Sequence, residues 1–177
     1  MGADCFRYLF RNCTSLEVPP DFPNIALSSM CFYSAFSGCT SLLYPPELPS
    51  TTLANYCYTY MFYNCSSLLY PPKLPSTTLA DYCYTYMFCG CTSLTNMIKL
   101  PATTLNTYCY GGMFQGCTGI NISTTATADY SYAFRIPEEG TGTDMGNGVF
   151  DMFKNTGGTF TGTPTINTTY YTNNQLM

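Results

Sequence analysis

A period of 26 residues runs through this chain and restricts it to folds built by repetition. Residues 53–78 read LANYCYTYMFYNCSSLLYPPKLPSTT and return as residues 79–104, LADYCYTYMFCGCTSLTNMIKLPATT. Stepping by 26 in both directions aligns Cys5, Cys31, Cys57, Cys83 and Cys109; Cys13, Cys39, Cys65, Cys91 and Cys117; and Phe10, Phe36, Phe62, Phe88 and Phe114. Two further columns are Leu16, Leu42, Leu68, Leu94, Ile120 and Pro23, Pro49, Pro75, Pro101. Self-similarity of this kind marks a stack of units, each burying its apolar face against its neighbours. Residues 1–120 hold five repeats. Met152-Phe153 then answers Met113-Phe114 at an offset of 39, which is 26 plus a 13-residue insertion. Residues 121–177 therefore read as a degenerate capping repeat, with an insertion at 135–147 and a polar tail, in one continuous domain.

Within a repeat, Leu53, Cys57 and Met61 lie at i, i+4 and i+8, and Tyr58 with Phe62 adds a second i, i+4 pair. That spacing predicts a short amphipathic helical segment, capped by Thr51 or Thr52. From Leu68 the period becomes two: Leu68, Tyr70, Pro72 and Leu74 share one parity, taken as inward. Each Pro-Pro pair removes ladder donors, so any strand here is expected to be only two to four residues long. The fold class expected is an α/β repeat solenoid of leucine-rich-repeat type. Short parallel strands form one face and short helical segments the other, in about five regular coils plus a degenerate sixth.

The run MF-x-x-C-[ST]-S-L followed by an extended segment ending in Leu-Pro resembles the repeat of BspA-like leucine-rich-repeat surface proteins. The match falls on Met61, Phe62, Cys65, Ser67, Leu68, Leu74 and Pro75, and recurs from Leu9-Phe10 to Met113-Phe114. The 26-residue unit, the Pro-Pro pairs and the second cysteine depart from that pattern. The resemblance implies a solenoid of the kind found in surface and phage-associated proteins, whose members are associated with adhesion. Fold does not determine function.

Charged residues make up 9% of the chain and the net charge is −4, so the basic footprint that nucleic acid or an anionic membrane needs is missing. No apolar run reaches the length of a membrane span, and the first residues lack the regions of a signal peptide. Two readings stay open: a segment of a longer chain, or a phage protein that needs no signal of its own. Either places the chain outside the cell, on a bacterial surface or a virion.

The 177 residues include no histidine, which removes the usual general base and the Ser-His and Cys-His nucleophile pairs. Glu138-Glu139 read as a solvated loop. No catalytic set, metal site or cofactor is expected. Cys57 and Cys65 would stand about 12 Å apart on a helix, beyond the roughly 7 Å that a disulfide spans. Between repeats, stacking at about 4.8 Å falls inside that limit, so bridges along a column stay open; five members per column leave one unpaired, and the reading preferred is two ladders of reduced, packing thiols. Cys89 is the exception, since its column holds Arg11, Ser37, Tyr63 and Gln115. It is the candidate reactive thiol.

Two surfaces are candidates for recognition. Tyr56, Tyr60, Tyr82, Tyr86 and Tyr108 form columns that would make an outward aromatic stripe, although tyrosines also serve simply to cover layers with hydroxyls. On the strand face, Leu43, Glu47, Leu69, Lys73, Met97 and Lys99 share the outward parity and grade from acidic to basic. The function expected is a non-enzymatic adhesion module that binds an extracellular protein or glycan through the solenoid surface. The alternative is a structural spacer that self-associates through its ends.

Overall fold

The computed structural model describes residues 4–22 and 24–177. Pro23 and the Met1-Gly2-Ala3 start lie outside the described residues. Through residues 4–117 each repeat contributes one segment of tandem turns. In residues 54–65, every second amide closes a turn: Cys57, Thr59, Met61, Tyr63 and Cys65 donate to the carbonyls three residues back, at 3.1–3.3 Å. The alternate amides leave the repeat. Tyr56, Tyr58, Tyr60, Phe62 and Asn64 donate to Asp81, Cys83, Thr85, Met87 and Cys89 of the next one, at 2.8–3.0 Å. The amides of residues 56–65 thus all find backbone partners without a helix or a regular ladder, as burial demands.

The turns have a period of four because every fourth residue adopts a left-handed backbone: Tyr56, Tyr60 and Asn64 in one repeat, Tyr82, Tyr86 and Gly90 in the next. This period explains the i, i+4 pattern that resembles a helix. Cys57, Met61 and Cys65 all point inward with no exposure. Along a helix, residues four apart drift by about 40° each time.

The expected α/β leucine-rich-repeat solenoid is therefore corrected. Among the described residues there is no helix, and the six strands are short, lie beyond residue 103 and form two small sheets. In a two-stranded parallel sheet, β1 (Thr104–Leu105) pairs with β4 (Thr143–Asp144), Thr104 opposite Thr143. The second sheet has the order β3-β6-β2-β5, from β2 (Asn121–Ser123), β3 (Tyr132–Arg135), β5 (Gly157–Gly158) and β6 (Thr169–Thr172). Its β2–β5 pair is parallel and the other two pairs are antiparallel.

The expected strand face fails because the prolines supply no N–H. Pairing there is reduced to contacts such as Leu43 N donating to Glu17 O, Leu69 N donating to Leu43 O, and a Thr52–Thr78 bridge. The inward parity holds at Leu68, Pro72 and Leu74, which are buried, and breaks at Tyr44 and Tyr70, which are exposed, and at Pro71, which is buried on the other parity.

The core is a set of side-chain ladders. Phe10, Phe36, Phe62, Phe88, Phe114 and Phe153 stack with centroids 5.3–6.0 Å apart. Phe6, Phe32, Tyr58, Tyr84 and Tyr110 form a second stack at 4.9–5.8 Å. Burying each such ring contributes about 1.5–3 kcal/mol. Beyond the fifth repeat the bonds lengthen by the same 13 residues, from 25 positions to 38: Gly112 N donates to Phe150 O and Phe114 N to Met152 O. The larger sheet closes this end, with Phe134 edge-on to Phe153 and Phe153 N donating to Gly162 O.

Candidate functional site

The five tyrosines of the stripe come together as the two walls of one groove. Tyr56, Tyr82 and Tyr108 form one wall, at 4.7 and 5.5 Å and within 8° of parallel. Tyr60 and Tyr86 form the other, at 5.2 Å and 5°. Thr59 and Thr85 lie buried between the walls, their hydroxyls donating to the carbonyls of Tyr82 and Tyr108. At one end Tyr33 meets Tyr60 edge-on at 5.8 Å, and Tyr8 meets Tyr33 in the same way. The guanidiniums of Arg7 and Arg11 lie over these rings, 4.8–5.3 Å from the centroids. At the other end Phe150 closes on Tyr108.

All five wall tyrosines hold positive φ, between 50° and 60°. The left-handed backbone aims their side chains away from the core, and stacking repeats turn two columns into parallel walls. The Tyr60–Tyr86 wall stops where Gly112 replaces tyrosine, and the Tyr86 ring lies over the space a Cβ there would need. Because the rings face one another, the groove presents ring edges and phenol hydroxyls. Ring edges carry positive potential. Burial, the largest cause, raises the Tyr33 and Tyr60 phenols. These two phenols therefore stay protonated at ordinary pH and offer hydrogen-bond donors to an acceptor-rich ligand.

The second predicted surface is split. Leu43 and Leu69 are half-buried, and Glu47 and Lys73 are exposed. Met97 is fully buried, and its carbonyl accepts from Met177 N at 2.9 Å. Lys99 N in turn donates to Met177 O, Asn96 Nδ2 to Gln175 O and Asn174 Nδ2 to Thr95 O. The chain's own tail thus covers residues 95–99. Lys99 Nζ pairs with Glu138 at 2.7 Å, so the fourth repeat carries no free basic patch.

Cys89 is half-buried, and burial pushes its thiol up to about 11. A reactive thiol is shifted the other way. Cys39, Cys65, Cys91 and Cys117 each donate S–H to the carbonyl of Phe10, Phe36, Phe62 and Phe88, at 3.0–3.1 Å. Among the described residues no three His, Cys, Asp or Glu side chains converge on one point, and no helix is long and apolar enough to cross a membrane.

The reading from residue spacing missed the turn architecture, although a signal for it was present. The column Asn12, Gly38, Asn64, Gly90, Gly116 holds only the two residue types that most readily take a left-handed backbone. Comparison of the chain with family models, curated proteins and solved structures returns no match.

Proposed function

We propose that this chain is a non-enzymatic binding module, displayed on a bacterial surface or a phage fibre, that takes an extended protein or glycan ligand into the groove between its tyrosine walls. The observation that carries this reading is the backbone beneath those tyrosines. A left-handed conformation costs about 1–2 kcal/mol for a residue with a Cβ, and least for Gly, Asn or Asp. Stacking returns about 0.5–1.5 kcal/mol per ring pair. Stability therefore gives tyrosine little advantage over the Asn and Gly that fill the equivalent positions four residues on. Side chains kept against a conformational cost are characteristic of sites. The location outside the cell rests on the resemblance to surface and phage-associated repeat proteins and on the weakly charged surface.

The test is a pair of arrays, one of glycans and one of unstructured peptides, probed with the wild-type chain and with the Tyr60→Asn/Tyr82→Asn variant. Selective capture by the wild type alone is expected, and the array that responds identifies the ligand class. Equal capture by both proteins, or silence on both arrays, would overturn the reading.

A further inference from the structure

Cys5 and Cys31 are the first two members of the inner cysteine column, and their Sγ atoms lie 2.7 Å apart. Their backbones are direct neighbours: Asp4 N donates to Ser29 O at 3.2 Å and Phe6 N donates to Cys31 O at 2.8 Å. Hydrogen-bonded neighbouring chains run about 4.8 Å apart, inside the roughly 4.4–6.8 Å Cα window that a disulfide spans. Cys5 is exposed and Cys31 is fully buried.

No other position combines these features. Cys57, Cys83 and Cys109 have no exposure, so a dissolved oxidant does not reach them. Cys13 is exposed, but Cys39, the next thiol in its column, is directed at the Phe10 carbonyl. Cys89 is in the middle of the chain, outside both columns.

We propose that Cys5 and Cys31 are a dithiol site that small disulfides oxidise to a bridge between the first and second repeats. With oxidised glutathione as the oxidant, the Cys5 thiolate attacks one glutathione sulfur. The glutathione S–S bond breaks, one glutathione thiolate leaves, and a mixed disulfide forms on Cys5. Cys31 then gives up its proton to solvent and attacks Cys5 Sγ, expelling the second glutathione thiolate. Two protein thiols are oxidised and one disulfide is reduced to two thiols, a balanced two-electron exchange. The bridge ties residues 4–13, most of which are exposed, to a residue at the centre of the core. Burial, with Cys5 a lesser cause, pushes the Cys31 thiol up to about 11, so the second step quickens as pH rises.

The experiment treats the whole chain with oxidised glutathione at pH 8, followed by thiol titration in denaturant, non-reducing peptide mapping and hydrogen exchange. The expected result is two thiols fewer than the eleven of the untreated chain, a Cys5–Cys31 cross-linked peptide and at least tenfold slower exchange at the amides of residues 4–13. The Cys5→Ser variant, altered only at an exposed side chain, is expected to lose no thiols and to show no change in exchange. Glutathione retained on Cys5 with Cys31 free, a Cys13–Cys39 bridge formed first, covalent dimers or no reaction would each overturn the proposal.

Discussion

Asn64 Oδ1 occupies the space that a Cβ on Gly90 would need, and Asn12 stands in the same relation to Gly38. Asparagine in one repeat and glycine in the next therefore form an interlocking pair, which accounts for their alternation from Asn12 to Gly90. Gly90 also has a φ of 78°.

Gly90→Ala should accordingly destabilise the chain by about 1–3 kcal/mol, from the left-handed backbone and the steric conflict together. Adding Asn64→Ala should recover part of that loss, leaving the backbone cost. Urea unfolding of the four proteins in a double-mutant cycle checks this. Strict additivity would show that the two residues do not interlock.

Tyr82→Asn is expected to leave stability within about 1 kcal/mol of wild type, because asparagine relieves backbone strain while two ring stacks are lost. Binding to whichever ligand the arrays reveal should nevertheless fall by at least tenfold. A large fall in thermal stability would assign the tyrosine walls to folding instead.

Phe62→Ala removes a fully buried ring from the middle of the longest ladder and should cost about 3–5 kcal/mol. The same change at Phe10 should cost less, since that ring stacks on one side only and is half-buried. Comparing the two denaturation midpoints tests whether the ladder is strongest at its centre.

Stability should also decline in alkali. A thiol in the unfolded chain ionises near its ordinary value of 9.0, whereas burial, the largest cause, pushes Cys57 and Cys109 up to about 12. Between those values the native state retains protons that the unfolded state has released, so rising pH favours unfolding. Each thiol contributes about 1.4 kcal/mol per pH unit. Below pH 9 these thiols leave stability flat. Urea midpoints at pH 7, 8.5 and 10 should show this break, with a shallower alkaline slope in Cys57→Ala; a level profile to pH 10 would refute it.

Deleting residues 174–177 should uncover the segment they protect. The amide of Lys99, bonded to Met177 O at 3.3 Å, should exchange much faster in the truncated chain, and Met97 should become oxidisable by peroxide. Unchanged exchange at Lys99 would mean that the tail contributes nothing to covering this segment.

The ladders were legible in the sequence because identical residues at a fixed interval leave stacking as the economical way to bury them; the Phe62 and Cys57 columns announced themselves. The turn segments were misread. A four-residue turn period and a 3.6-residue helix both bring Cys57 and Met61 to one face, and spacing alone separates them only over longer runs. The Asn64 and Gly90 column was the available discriminator. The tyrosine columns were visible as an outward stripe, but their arrangement as two facing walls depends on positive φ at Tyr56 and Tyr60, which residue type does not suggest. The cover over Met97 comes from residues some 79 positions away, a contact that no local pattern encodes.

The hydrogen bonds between turn segments all run one way, with amides directed toward later repeats and carbonyls toward earlier ones. Peptide dipoles aligned like this add up, as they do along a helix. The first repeat is thus the negative pole of the stack, and the last turn segment is the positive one. Charges of both signs lie at each end: Asp4 with Arg7 and Arg11 on the first segment, and Asp151 with Lys154 on the last, beside Asp144, which accepts from the amides of Gly146 and Gly148. The stack therefore has a chemical direction.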